Sequence, residues 1–332
     1  MRYFFNSIYI MNGIVIYIVI LIILFLILRY NYSKKLKEAK LRVKRGQPLD
    51  INKYFYDADN LRESKRRKLW VHIPFERNAR EWESFGSRTS YKLNLAYMTL
   101  CIKSIVDNCS EYYDIVIYDD TNMLEILKNI NVDFSKISGA LLEKYREICK
   151  MKILYEYGGL IIPPSLFLQS SLSKIDNEDV WYVIDSYNYQ SENIRRILPT
   201  TIVTGSNKGN RELKKYIEYL EKIVLNDFGE TSIHYSYNYF LKHKIPILDG
   251  ALIGVYDAKN RPVTLDMLMS NREIKLRSDN LGLYMPHDEL IQRKAYQWYC
   301  YLNEKEVLDA QVAFSYYMLN GAIGPSKRQQ KK

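Results

Sequence analysis

Leu154-Tyr155-Glu156-Tyr157-Gly158-Gly159-Leu160-Ile161-Ile162-Pro163-Pro164-Ser165 reads as the last turn of a helix, a glycine reversal, a short apolar strand and a stop. Upstream, Ala140 to Tyr157 carries a helical pattern, and Gly158-Gly159 supplies the residues suited to a left-handed C-terminal cap. Leu160-Ile161-Ile162 follows at once, and Pro163, which has no N–H to give a ladder, ends it. A helix feeding straight into an apolar strand is half of a parallel α/β unit, so strands and helices should alternate on either side.

They do. Leu69-Trp70-Val71-His72-Ile73 is a short apolar run stopped by Pro74, hence a strand. Asn78 to Tyr91, rich in charge, Ser and Gly, reads as a loop. Leu93, Tyr97, Leu100, Cys101, Ile105 and Asn108 recur at three and four residues and predict a helix over Asn94 to Asn108. Asp114 to Tyr118 is again a strand, ending in Asp119-Asp120-Thr121-Asn122 before a helix containing Met123 to Lys128. In open α/β sheets ligands sit beyond the carboxyl ends of strands, which makes Asp119 and Asp120 candidate site residues; capping of the next helix by Asp120 or Asn122 is the competing reading. Downstream the pattern predicts strands at Val180 to Asp185 and Thr200 to Thr204, helices at Arg211 to Leu225 and Tyr235 to Lys242, and extended chain at Ile247 to Val255 and Ile274 to Tyr284. Helices at His287 to Trp298 and Glu304 to Leu319 follow, the last opened by the capping pair Asn303 and Glu306.

The chain has 332 residues, 47% hydrophobic and 26% charged, with 14 Gly and 9 Pro, a globular composition. Its net charge of +10 is concentrated at the ends: residues 29–45 hold eight bases against one acid, Lys327, Arg328, Lys331 and Lys332 close the chain, and 69–326 is mildly acidic. An acidic body excludes a nucleic-acid groove, which needs clustered cations on the folded surface. From Ile8 to Leu28 there are 21 residues without a charge, enough at helical rise to cross the roughly 30 Å hydrocarbon layer. No small-x-small cleavage site follows, so an uncleaved transmembrane anchor is expected rather than a signal peptide. The cations on its C-terminal side place the body on the cytoplasmic side, with the bilayer as a partner. The expected organisation is an anchor over 1–28, a basic stalk over 29–68, an α/β domain over 69–320 and a basic tail over 321–332. Cys101, Cys109, Cys149 and Cys300 are dispersed and lack CxxC spacing, which suggests neither a disulfide framework nor a zinc site. The triplets Asn31-Tyr32-Ser33 and Asn108-Cys109-Ser110 are glycosylation sequons that decide nothing unaided.

Leu154-Tyr155-Glu156-Tyr157-Gly158-Gly159-Leu160 resembles the segment Asp-x-x-Arg-x-x-x-Leu-x-x-Tyr-Gly-Gly of the sugar-transferase family with a DXD motif and of the related capsular-polysaccharide-synthesis proteins. Leu69-Trp70-Val71-His72 is similar to that family's first strand, Leu100 to Ile105 and Ile115 to Asp120 to its next helix and strand, and Thr201 to Ser206 also fits, so the resemblance covers roughly residues 69 to 225. It implies a GT-A-like α/β domain with C-terminal helices, a nucleotide-sugar donor and a glycan or protein acceptor. Two departures bear on chemistry. Glu147 and Lys150 stand where the family has Asp and Arg, and Pro163-Pro164-Ser165 stands in place of Asp-x-Asp. Carboxylates at that place hold the divalent cation that neutralises the departing diphosphate, and proline offers no ligand. No divalent metal is therefore expected at this position and no other cofactor is implied. The donor-binding set read from the resemblance is Glu147, Lys150, Gly158, Gly159 and Ser165, with Asp119, Asp120 and Asp185 as catalytic candidates. A solvated helix face carrying Glu143, Glu147 and Lys150 is the alternative for the charged pair.

No GxSxG, HExxH, Walker or GxGxxG pattern is present. His287-Asp288 at a helix start could be catalytic, although Asp288 there also suits a capping charge, and Asp249 before Gly250 could serve an acceptor or a turn. The expected function is a membrane-anchored glycosyltransferase-like protein working without a standard DXD metal site, or a non-catalytic descendant that acts as a tethered binding or structural protein.

Overall fold

A computed structural model describes residues 51–58, 61, 66–74, 95–128, 130, 132–134, 136–177, 179–187, 197–226 and 232–323, together with Phe25, Leu26 and Arg29. The chain divides into two compact units, Asp50–Tyr317 and a second made of Met1–Leu49 with Met318–Lys332. Most of the second unit, with the anchor over 8–28, the stalk to residue 50 and the tail beyond 323, lies outside the described residues, as does the loop expected at 78–91. Among the described residues no helix is long and apolar enough to cross a membrane.

The larger unit is a mixed α/β layer structure, as the alternating pattern requires. A six-stranded sheet is built from β1 (Lys68–His72), β2 (Asp114–Tyr118), β3 (Gly159–Ile162), β5 (Tyr182–Tyr187), β6 (Ile197–Ser206) and β7 (Ile247–Leu248), in the order β2-β1-β3-β6-β5-β7. A second sheet pairs β4 (Leu166–Leu168) with β8 (Gly282–Tyr284) in antiparallel register. β1 lies parallel to β2 and β3, β7 lies parallel to β5, and β6 alone runs against its neighbours. All five residues of β1 are buried, which is the signature of a central strand covered on both faces. Phe55 bridges to Ile117 and Tyr56 N–H donates to the Ile117 carbonyl, so the segment preceding β1 already lies along β2, before the stalk's expected end at 68.

The helices are α1 (Ala96–Cys109), α2 (Asp120–Ile126), α3 (Gly139–Tyr157), α4 (Arg211–Asn226), α5 (Ser232–Lys242), α6 (Leu265–Leu268), α7 (His287–Gln292), α8 (Glu304–Asp309) and α9 (Ala313–Ile323), which runs across the boundary of the two units. α3, α4 and α5 cover one face of the large sheet. Ile148, Cys149 and Ile153 of α3, Leu213 and Tyr216 of α4 and Phe240 of α5 share a core with Trp70, Val116, Tyr118 and Ile161 of the strands. α1 packs against β4.

Four expected elements are corrected. Extended chain over 247–255 shrinks to β7, because Asp249 caps a 3-10 turn at Gly250–Ile253 that Gly254 closes in the left-handed region. Over 274–284 only β8 is a strand; the Asn280 amide donates to the carbonyls of Ala251, Leu252 and Gly282, holding an irregular path. The helix over 287–298 stops at Gln292, since Arg293 turns extended and its guanidinium bonds Asp266 and Glu289; a 3-10 turn at Gln297–Tyr301 follows. The helix over 304–319 divides into α8 and α9 at Ala310, and the Ala313 N–H is taken by the Ser270 carbonyl. The capping box of Asn303 and Glu306 forms as expected.

The turn from α3 into β3 packs its backbone closely against β1. Gly158 has φ +70 but an extended ψ, so it reverses the helix and aims the chain directly into β3. The Trp70 indole donates to its carbonyl at 2.9 Å. Gly159, at φ +111, lies so close to β1 that a Cβ would sit 2.3 Å from the Lys68 carbonyl oxygen. Arg67 donates to the Gly159 and Ser206 carbonyls and to both oxygens of Asp176, which also accepts from Tyr113 and Tyr182. Gly159→Ala should therefore cost more than about 4 kcal/mol, whereas Gly139→Ala, also at positive φ but with nothing within 4 Å, should cost only about 1–2 kcal/mol. Equilibrium urea unfolding of both variants measures the difference, and equal costs would contradict the close approach.

Candidate functional site

Five of the six strands in the large sheet point the same way, so their carboxyl ends share an edge. That edge carries His72 of β1, Tyr118 with Asp119 and Asp120 of β2, Pro163-Pro164-Ser165 after β3, Asp185 of β5 and Asp249 after β7. β6 starts there. Between the pairs Tyr182↔Gly205 and Ile184↔Thr200 its register slips, so that β6 bulges over Thr201 to Thr204. Bulges re-aim side chains, and here the Thr201 hydroxyl reaches Glu147 of α3.

Asp119, not Asp120 or Asn122, is the N-cap of α2: its carboxylate accepts from the N–H groups of Thr121 and Asn122. Asp120 is then the first helical residue, and its side chain turns inward. It accepts from Arg146 Nε at 3.1 Å and Nη2 at 2.6 Å, and from His72 Nε2 at 2.9 Å. Burial alone would raise its pKa; the hydrogen bonds from His72 and Arg146 outweigh that and hold it well below the usual carboxylate range. His72 moves the other way, pushed by burial down to about 4 despite the pull of Asp120, with Lys150 and Arg146 adding to the shift. At neutral pH it is an uncharged imidazole giving Nε2–H to the carboxylate.

Glu147 is half-buried and accepts from Thr201 Oγ1 and, at 3.5 Å, from the Tyr216 hydroxyl, which also bonds Ser236 at 2.7 Å. Burial raises its pKa against the opposing charge of Lys150. The solvated face of Glu143, Glu147 and Lys150 does not form: Glu143 pairs with Arg146 at 2.6 Å, and Glu147 faces the β6 bulge. Lys150, one turn further along α3, is half-buried. It acts electrostatically on both His72 and Glu147, yet makes no hydrogen bond or ion pair among the described residues.

The other residues singled out from sequence have packing roles. Gly158 and Gly159 are committed to the contact with β1. Ser165 is buried, with its hydroxyl donating to the Met285 carbonyl at 2.7 Å. Asp249 caps a turn and pairs with Arg277, and Asp288 lies in the first turn of α7. His287 Nδ1 is hydrogen-bonded to the buried Tyr97 hydroxyl. Asp185 is half-buried, pushed up by burial and by Asp249, and has no hydrogen bond or ion pair among the described residues. Asn108 of the second sequon spends its amide on the Ser104 and Leu168 carbonyls.

Spacing along the sequence did not single out Arg146, Thr201 and Tyr216, and left His72 as one of several scattered histidines. Arg146 follows Glu143 at a salt-bridge interval, a signal that was present, whereas the bulge that delivers Thr201 leaves no trace in the residue pattern. The donor set does not fit a divalent cation of the DXD kind: Pro163 and Pro164 have no ligand atom, Ser165 is tied to Met285, and the neighbouring carboxylates of Asp120 and Glu147 are occupied by protein donors. Among the described residues no group of three or more His, Cys, Asp or Glu side chains converges as a metal site.

No family model and no curated protein matches the chain. Among solved structures it is similar to a glycosyltransferase involved in the glycosylation of the major capsid of PBCV-1, at 9% identity and a TM-score of 0.32, over 57% of this chain and 83% of that one. It is also similar to the PaToxG glycosyltransferase, at 11% identity and a TM-score of 0.31, over 77% of this chain and 87% of that one. Both neighbours are glycosyltransferases; at these TM-scores neither likeness bears on the site.

The His72–Asp120–Arg146 cluster gives stability a defined pH dependence. The folded pKa of His72 lies near 4, below the ordinary 6.5, so its contribution is complete above pH 6.5 and is lost as pH falls toward 4. The depressed carboxyl of Asp120 extends the loss below that range. Denaturant unfolding between pH 7 and 4 should show a loss of up to about 3 kcal/mol from His72, and a flat profile in that window would refute the buried neutral imidazole.

Proposed function

We propose that this chain binds a sugar nucleotide at the carboxyl edge of its large sheet and transfers the sugar without a divalent cation, Lys150 meeting the donor diphosphate. The observation that carries this is the setting of Lys150, a half-buried ammonium without a hydrogen-bonded or ionic partner among the described residues. It lies on the helix that leads to the Tyr-Gly-Gly turn, beside an edge where Pro163-Pro164-Ser165 stands at the place the resemblance gives to Asp-x-Asp. Cleavage of the sugar–phosphate bond leaves negative charge on the diphosphate, and a fixed cation stabilises that charge as a metal would. A GT-A-like assignment is supported by the order of the strands, with β6 alone reversed, and by the sequence resemblance around Gly158. Of the three catalytic candidates, Asp119 is spent on a cap and Asp120 on an ion pair. Asp185, with its raised pKa, is the remaining group to take the proton of an acceptor hydroxyl on a glycan or protein.

The same proposal places the chain in a membrane through residues 8–28, with the body facing the cytoplasm. A second reading, a tethered binding protein without catalysis, is favoured by one specific fact: the carboxylates of Asp120 and Glu147 are both engaged by protein donors.

Calorimetry on the full chain in detergent, with UDP- and GDP-sugars in Mn²⁺ or in EDTA, tests the proposal. Affinity should be the same in both. Lys150→Ala should weaken binding at least tenfold, corresponding to the roughly 1.5–3 kcal/mol of a charge-assisted hydrogen bond, with little change in melting temperature. Binding that disappears on chelation would overturn the metal-free site. Tight, Lys150-dependent binding without turnover would select the second reading.

A further inference from the structure

Tyr296-Gln297-Trp298-Tyr299-Cys300-Tyr301 places four aromatic residues among six, and Gln297–Tyr301 folds as a 3-10 turn. Side chains three apart eclipse in that conformation, so Trp298 and Tyr301 fall on one side. Tyr299 and Cys300 turn inward, 0% and 5% exposed, while Trp298 and Tyr301 stand 44% and 68% exposed. Trp298 meets Tyr299 edge-on at 5.6 Å, and Tyr299 packs on Tyr97 at 5.6 Å. The Tyr97 hydroxyl bonds His287, two residues beyond Met285. Met285 in turn exchanges hydrogen bonds with Ser165, its N–H donating to the Ser165 carbonyl at 3.1 Å and its carbonyl accepting from Ser165 Oγ. Ring and hydrogen-bond contacts therefore run from Trp298 through Tyr299 and Tyr97 to His287, and the chain itself carries them on through Pro286 to Met285 and the Pro163–Ser165 turn.

We infer that Trp298 and Tyr301 form a carbohydrate platform, on which the sugar rings of an acceptor glycan stack through their apolar C–H faces. The inference rests on the proposed sugar transfer and deepens it, because it makes the acceptor an oligosaccharide. Flat aromatic faces with polar tips match a polyhydroxylated ring, which is apolar on its faces and polar at its rim. A bilayer is the poorer occupant. Residues 287–306 hold four acids and three bases, so no cationic field draws anionic lipid to the turn. Along the chain its exposed neighbours are Gln292, Lys294, Ala295, Asn303, Lys305 and Glu306, with no large aliphatic side chain among them.

The test probes the labelled full chain, in detergent, against a glycan array, with sugar-nucleotide calorimetry run in parallel. Wild type should bind a subset of oligosaccharides, and Trp298→Ala and Tyr301→Ala should each lose at least tenfold in glycan affinity. Trp298→Phe, which keeps a ring, should retain most of it, and melting temperature and sugar-nucleotide affinity should not change. A silent array alongside intact sugar-nucleotide binding would overturn the platform and leave the donor site standing. Trp298-dependent glycan binding without any sugar-nucleotide binding would uphold the platform and remove the transferase reading. In nanodiscs of brominated phosphatidylcholine, emission quenched in wild type but not in Trp298→Phe would assign the pair to the membrane and overturn the inference.

Discussion

The larger unit depends on how closely β3 lies against β1. Two glycines make that approach possible, and a methyl group on Gly159 would meet the Lys68 carbonyl at 2.3 Å. The polar groups exposed by so tight a turn are satisfied from the β1 side, the Gly158 carbonyl by the Trp70 indole and the Gly159 carbonyl by Arg67. Arg67 is itself fixed by Asp176, a buried carboxylate with four donor contacts from Arg67, Tyr113 and Tyr182. Fixing this turn fixes the axis of α3, and with it the places of Arg146, Glu147 and Lys150 relative to the sheet edge.

Several of the chain's 30 tyrosines acquire a physical explanation from such contacts. Tyr113, Tyr182, Tyr216, Tyr296, Tyr299 and Tyr317 each set a ring against neighbouring side chains and end in a hydroxyl that bonds a carboxylate, an amide or a serine. An aromatic body with a polar tip can cross from core to buried polar cluster without leaving a donor unmet. Tyr118, fully buried beside His72, and Tyr239 are exceptions among the described residues, each with no hydrogen-bond partner for its buried hydroxyl. Unlike the surface ion pairs, the His72–Asp120–Arg146 cluster is desolvated, so loss of Arg146 would leave the buried Asp120 carboxylate without its counter-charge.

What was legible in the sequence was what periodicity and punctuation encode. Strands β1, β2 and β3, helices α1 and α3, the glycine reversal and the Asn303 capping box all follow from residue order, because each is decided by neighbours within one or two turns. The three-residue strand β4 was not legible, since Leu166–Leu168 becomes a strand only by pairing with β8 more than a hundred residues away. The broken C-terminal helices were hidden for a similar reason: Asp266 and Ser270 draw the Arg293 side chain and the Ala313 N–H out of a continuous helical path. At the site, the turn around Gly158 and the charged residues of α3 could be read, but not the roles of the acids. Asp119 and Asp120 are adjacent in sequence and opposite in fate, and only tertiary contacts from Arg146 and His72 separate a surface cap from a buried anion.

The central claim is that a lysine on α3 does the electrostatic work that a metal bridge would otherwise do. The direct measurement is an experimental structure of the full chain with a bound sugar nucleotide, grown with Mn²⁺ present. A diphosphate oxygen within hydrogen-bonding distance of Lys150 Nζ, with no metal density between the phosphates and the Pro163–Ser165 turn, is the expected result. A diphosphate bridged to the protein through a cation, or seated away from α3, would contradict it.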